Sequence, residues 1–241
     1  MNINPSSTIR IASYNIRKAI GLDWKRDSSR ILDVFSEMDA DIIAVQEADR
    51  RFGIRQGTLP IDELANTLGY QFADVADQDA SHGWHGNAIL FRQTIKLLHS
   101  ERVPIPTFEP RGAVAAVFCQ SDSHPFRLIG THLSLVGRMR RKQLGTLQQY
   151  IEQADDRYPA LIAGDFNEWK KRGIACRSVG WGFEVATPGP SFHSTNPYFT
   201  LDRFVLWGGI QMQTCAVHQT ETSKQASDHL PIYMDMKLGR L

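Results

Sequence analysis

Several short runs of β-branched and small apolar residues each stop at a polar residue, and no other feature constrains the fold as strongly. TIRIASYN (8–15), DIIAVQE (41–47), FRLIGTHLSL (126–135), PALIAGD (159–165) and FTLDRFVLW (199–207) read as strands. Their polar members are Asn15, Glu47, His132, Asp165 followed by Asn167, and Asp202, with Asp228 and His229 in SDH before a final strand, LPIYMDMKL. Strands that stack in a sheet pair bring such ends to one rim, where a scaffold can hold a site.

Stretches at helical spacing separate some of these runs. Ile31, Leu32, Phe35 and Met38 recur on one face between the first two, with Asp27 or Ser28 placed to cap the helix. IDELANTLGY reads as a short helix closed by Gly69. A longer helix through RMRRKQLGTLQQYIEQ carries Met139, Leu144, Leu147, Tyr150 and Ile151 on one side, and a short helix is expected around EWKKRGIACRSVG. YQFADVA, GNAILFR, IKLLHSERV, AVAAVFCQS and IQMQTCAVH supply further strands. Strands with interspersed helices and no Pro/Ser-rich linker predict a single domain over residues 1–241, of α/β (α+β) type.

Composition narrows the function. Lys and Arg number 27 against 26 acids, a net charge of +1, which disfavours a protein that holds nucleic acid by bulk charge. Cys119, Cys176 and Cys215 are scattered and suit reduced thiols. The N-terminus does not read as a signal peptide, and no apolar run reaches the roughly 18 residues of a membrane span. The expectation is a cytoplasmic protein with no stable membrane span and no obligatory protein partner.

The polar strand ends are rich in oxygen donors: Glu47, Asp165, Asp202, Asp228, Asn15 and Asn167, with His132 and His229 beside them. Such a set suits a hard cation, Mg²⁺ or alternatively Mn²⁺, whereas zinc prefers closely spaced Cys and His. GxxxxGK[ST] and GxGxxG are both absent, so a phosphate loop or dinucleotide turn has no support. Singly each residue has an ordinary reading: Glu47 a solvated acid, Asp165 a helix cap, His132 a half-buried histidine. Asp202 is different, because an acid among apolar strand positions is costly unless paired. Arg203 is one available partner and His229 the other.

Taken together and in order, SYNIRKA, DIIAVQEAD, HGNAILF, GTHLSL, LIAGDFN, LDRFV and SDHLPI resemble the endonuclease/exonuclease/phosphatase superfamily, the deoxyribonuclease-I-like group. The resemblance implies a four-layer αββα sandwich, two packed and mainly antiparallel sheets flanked by helices. It further implies a metal-dependent phosphoric ester hydrolase. Glu47 looks like the main metal ligand, with Asn15 and Asp228 close to the ion. His229 looks like the histidine paired with Asp202, and Asp165 and Asn167 like the pair that aligns the attacking water and holds a phosphate oxygen. His132 resembles the histidine that stabilises the phosphate or protonates the leaving group, and Arg111 an arginine on the phosphate side. Asn15 and Asn167 can also donate to phosphate without adding charge.

Two positions depart from the pattern. Arg17 stands where AP endonucleases of this group carry an acid, and a basic residue there can approach phosphate. The acid expected near HGWHGNAILF to orient His132 is absent; His82, His85 and Asn87 occupy that stretch, either as its substitutes or as plain loop residues. Basic clusters at 137–142 and 170–172 adjoin the motifs and are candidates to meet a polyanion or an anionic membrane surface. The expected substrate is a phosphodiester, either a phospholipid headgroup or nucleic acid. The alternatives are a DNA endo- or exonuclease of deoxyribonuclease-I type and a catalytically silent binding module on the same fold.

Overall fold

The computed structural model describes residues 8–50, 52–120, 124–170, 173 and 177–239. Strands β1 (Ile9–Asn15) and β2 (Ile42–Gln46) run parallel, joined by helix α1 (Ser28–Met38). The helix starts where the Asp27 carboxylate accepts the Ser29 N–H at 3.0 Å. It ends at Asp39, whose left-handed backbone (φ 46°) breaks the repeat. The next elements are α2 (Ile61–Thr67), β3 (Tyr70–Phe72) and β4 (Ala88–Arg92). Gly69 follows α2 at φ +67°, a conformation that glycine adopts without strain.

The second half repeats the parallel crossover. After β5 (Lys96–Val103) and β6 (Ala113–Cys119), β7 (Phe126–His132) runs parallel to β8 (Ala160–Asp165) through helix α3 (Gly137–Glu152). Then come β9 (Phe183–Ala186), β10 (Asp202–Trp207), β11 (Ile210–Val217), α4 (Glu221–Ala226) and β12 (Ile232–Leu238). The strands form two six-stranded sheets, ordered β11-β12-β1-β2-β4-β3 and β5-β6-β7-β8-β10-β9. Apart from the two parallel pairs, neighbours are antiparallel. Residues 171, 172 and 174–176 of the short helix expected around EWKKRGIACRSVG lie outside the described residues.

Strand periodicity sorts the core into layers. Ile42 and Ala44 of β2, Leu128 of β7 and Leu161 and Ala163 of β8 fill the space between the sheets. Their alternates face outward: Ile43 and Val45 pack under Phe35 of α1, and Ile129 and Ile162 under Leu144 and Leu147 of α3. The result is the αββα sandwich, with both faces of each central strand covered. Phe166, just beyond β8, is fully buried beneath α3. No described helix is long and apolar enough to cross a membrane.

Gly164 lets two strands approach. A Cβ built there would lie 1.8 Å from the Thr131 carbonyl of the parallel neighbour. Gly164→Ala should cost about 2–3 kcal/mol by forcing β7 and β8 apart, with urea denaturation as the measurement. An unchanged midpoint would refute this tight packing.

Candidate active site

Register assembles the site. His132 lies opposite Asp165 in the β7–β8 pair, and Asp165 opposite Asp202 in the β8–β10 pair, so three side chains end level at one rim. In the other sheet Asn15 pairs with Gln46, and Glu47 follows. The Asn15 Nδ2 donates to Asp165 Oδ2 at 3.1 Å and so joins the two sheets at this point.

Asp165 is the hub. His132 Nε2 stands 3.2 Å and His229 Nε2 3.7 Å from its Oδ2, while its Oδ1 accepts the Asn167 N–H at 2.8 Å. His229 reaches Asp202 Oδ2 through Nδ1 at 2.9 Å. An ionised carboxylate only accepts, so this contact places a proton on Nδ1. Ser191 Oγ donates to the same Asp202 oxygen at 2.5 Å, and the Phe192 ring packs 5.0 Å from the His229 ring. Of the two partners available to Asp202, His229 is the one engaged. Arg203 instead bonds backbone carbonyls of Glu168 and Lys170 and the Thr187 hydroxyl.

Burial and charge compete at each group. Burial pushes Asp165 upward, but His132 and His229 outweigh it and hold the carboxyl far below its usual range. Burial pulls His229 down, but Asp202 and Asp165 outweigh it and raise the imidazolium to about 10. Burial also raises Asp202, and His229 offsets this only in part. These directions describe one proton shared over 2.9 Å. It resides on His229, which faces two carboxylates, whereas Asp202 faces one imidazole.

A small cleft opens beside this cluster, lined by Glu47, Asp49, Arg55, His85, Arg111 and His132 among others. The Glu47 carboxylate is ion-paired with Lys18 and 27% exposed. Burial raises its pKa, yet His132 and Lys18 bring it below the ordinary value. Arg17 Nε stands 3.4 Å from Asp228 Oδ2, its guanidinium 4.4 Å over the Trp24 ring. Arg111 Nε reaches Glu109 at 3.3 Å. His85 Nδ1 lies 3.2 Å from Arg55 Nη1 at the cleft wall. Asn87 is buried behind it and donates to the Gly112 carbonyl at 3.1 Å, fixing the backbone next to Arg111. His82 accepts the Leu59 N–H and stacks on Phe72, a packing role.

Several of these residues hold left-handed backbone without being glycine: Arg17, Lys18, Glu47, Arg55, His85 and Asn167, at φ between 47° and 59°. Each costs on the order of 1–2 kcal/mol. Four of them, Lys18, Glu47, Arg55 and His85, line the cleft, where turns after strand ends aim side chains inward. Asn167 is fixed further by its Nδ2, which donates to the Leu133 carbonyl at 2.9 Å. Lys18, Arg55, Glu109 and Ser191 were not legible as site residues. Lys18 and Arg55 depend on such turns, and Ser191 and Glu109 on contacts between loops.

Ligand atoms of Asp165, Asp202 and His229 all lie within 4.8 Å of one another, a group able to hold a metal ion. A second oxygen-rich group adjoins it at Glu47, where the Lys18 ammonium already supplies a cation. A carboxylate that already holds a cation is chemically suited to a hard divalent one.

Residues 12–229 match the profile of the Endonuclease/Exonuclease/phosphatase family, and the chain belongs to that family. It is 26% identical over 248 residues to the uncharacterized protein YbhP of Escherichia coli (strain K12), covering 96% of this chain and 97% of that protein. Its fold is similar to a family protein from Bacteroides thetaiotaomicron (TM-score 0.76, 17% identity, 98% and 100% of the two chains). It is also similar to TDP2 of D. rerio in complex with a single-strand DNA product (0.73, 19%, 96% and 99%). A mannosyl-6-phosphatase from B. thetaiotaomicron aligns comparably (0.73, 17%, 95% and 99%).

The raised His229 value has a consequence for stability. Its contribution is complete below the ordinary value of 6.5 and is lost as the pH climbs toward about 10. Thermal melts across this window should fall for the native chain, and His229→Gln should start lower and lose most of the slope. Parallel melting curves for the two proteins would contradict the charge assigned to His229.

Proposed function

We propose that the chain is a Mg²⁺-dependent phosphodiesterase that hydrolyses its substrate by in-line attack of a water. The observation that carries this reading is the buried Asp202–His229–Asp165 array, joined through His132 at 3.2 Å from Asp165 to a cleft that His132 lines with Glu47 and Arg111. The ionised Asp165 carboxylate is the acceptor that aligns the attacking water. His229 keeps its own proton at neutral pH, so it donates to a phosphate oxygen and stabilises the charge that develops there. Asp202 is a positioning residue: it fixes the imidazole tautomer and its charge.

His132 lies on the other side of Asp165 and serves the leaving oxygen. Arg111, with Arg55 beside it, neutralises the non-bridging oxygens. Asn15 orients Asp165 and, with Asn167, offers polar contact to phosphate without adding charge. Glu47, with Asn15 and Asp228, would hold a divalent cation, Mg²⁺ or Mn²⁺, which supplies Lewis acidity toward a phosphate oxygen when bound. Glu47, now paired with Lys18, would hold that ion in its place, and Arg17 plays an accessory part by holding Asp228. His229 is protonated on both ring nitrogens and offers a metal no lone pair, which favours this division of labour.

Turnover of bis-p-nitrophenyl phosphate with Mg²⁺, Mn²⁺ or EDTA tests the reading. EDTA should abolish turnover, and Glu47→Gln and His229→Ala should each lower kcat/KM by roughly 10²–10⁴-fold. Rates that resist EDTA and both substitutions would overturn it. A DNA nuclease would instead nick plasmid and bind DNA with a steep salt dependence, and a silent binding module would bind the cation without turning over any phosphoester.

A further inference from the structure

The cleft has two banks, one from each sheet, and both carry exposed apolar side chains among cations. On the first bank the chain leaves Asp49, turns back and returns through Arg55, both of which line the cleft. The loop closes on itself through Arg50 N–H to the Gln56 carbonyl at 2.9 Å and an Asp49–Gly57 bridge. Gly53, at φ +71°, lies at its tip. Phe52 and Ile54 flank that glycine, 83% and 68% exposed.

On the second bank the segment PIPTFEP, stiffened by three prolines, raises Phe108 to 90% exposure. Thr107 Oγ1 braces it by accepting the Glu109 N–H at 3.0 Å, and Ser134 Oγ donates to Glu109 Oε1 at 2.8 Å. That bond joins the segment to Leu135 and Val136, which are 60% and 51% exposed. Immediately beyond, α3 presents Arg138, Arg141 and Lys142 to solvent at i, i+3 and i+4, along one groove with Phe108 and Val136.

We infer that these two banks form a docking face for a bilayer containing anionic phospholipid, and that the cleft between them receives a headgroup phosphodiester. Scattered single apolar residues need no explanation, but these sit on braced tips beside a candidate catalytic cleft and have cations next to them. Cations attract an anionic surface, and apolar tips reach into the acyl boundary once it is met. Single-stranded nucleic acid fits less well. Ile54, Leu135 and Val136 offer no ring on which a base can stack. The inference rests on the phosphodiesterase reading for its substrate, but the docking itself can be measured without turnover.

The experiment is co-sedimentation of the full chain with phosphatidylcholine vesicles, with and without 30% phosphatidylglycerol (~30%, a composition that gives a strongly negative surface). The native chain should prefer the anionic vesicles. The triple variant Phe52→Ser, Ile54→Ser, Phe108→Ser should bind at least about tenfold more weakly while hydrolysing soluble bis-p-nitrophenyl phosphate at the native rate. Arg138→Glu, Arg141→Glu, Lys142→Glu should abolish the preference for the anionic vesicles. All these positions are exposed, and a circular-dichroism melt checks that both variants fold. Native-like vesicle binding by the triple variant, absence of binding by the native chain, or tighter binding to oligo-dT than to vesicles would each overturn the inference. Vesicle binding without any phosphodiester turnover would instead overturn the catalytic reading and leave the docking face standing.

Discussion

A buried carboxylate that belongs to two sheets at once is the constraint around which the site is built. Asp165 is almost fully inaccessible, and an uncompensated charge there would cost several kcal/mol. Its compensation comes from every side. Asn15 reaches it from the opposite sheet, His132 from the neighbouring strand, His229 from the loop before β12 and the Asn167 N–H from its own turn. These partners come together only when both sheets are complete and in register. A slip of one residue in β7, β8 or β10 would send His132, Asp165 or Asp202 to the wrong face. The buried charge therefore penalises misassembly of the sandwich.

Much of this was visible in the chain itself. Asp27 caps α1 as its position suggested, Gly69 closes α2, and the apolar residues at helical spacing in α1 and α3 are buried, except Tyr150, which is half-buried. The expected strand runs are all present, several of them trimmed at their ends. That Asp202 needs a partner followed from the cost of an acid in an apolar strand, which left Arg203 and His229 open; the structure pairs it with His229. What escaped was of two kinds. The edge strand β9 is only four residues long and carries Glu184, so its alternation is too short to read. Helix α4 is announced by a capping box that uses Ser223 where the usual signature has Glu or Gln.

The second kind is geometric. Lys18 follows Asn15 closely in sequence, yet nothing in NIRKA says that it meets Glu47. It does so because Arg17, Lys18 and Ala19 turn left-handed in succession, at φ 47°, 59° and 57°. Local propensity opposes that conformation for each of them. Tertiary bonds hold it, among them Lys18 N–H to the Glu47 carbonyl at 3.1 Å and Arg17 N–H to Asn15 Oδ1 at 3.1 Å. The same turn sends Arg17 to Asp228 and Lys18 to Glu47, one cation to each acid.

Charge accounting at the rim follows from that turn. Glu47, Asp165, Asp202 and Asp228 bring four negative charges, and Arg17, Lys18 and the protonated His229 return three. The site is thus close to neutral before any ligand arrives. The proposed phosphodiester would add one negative charge beside Glu47, an unfavourable step in a partly buried cleft unless cations meet it. Arg111 and Arg55 line the side from which it would come. A divalent ion at Glu47 would more than replace the charge that Lys18 supplies, and it would free that ammonium to turn toward the substrate. On this accounting substrate and cation assist each other's entry, because each relieves the repulsion or the excess charge that the other creates.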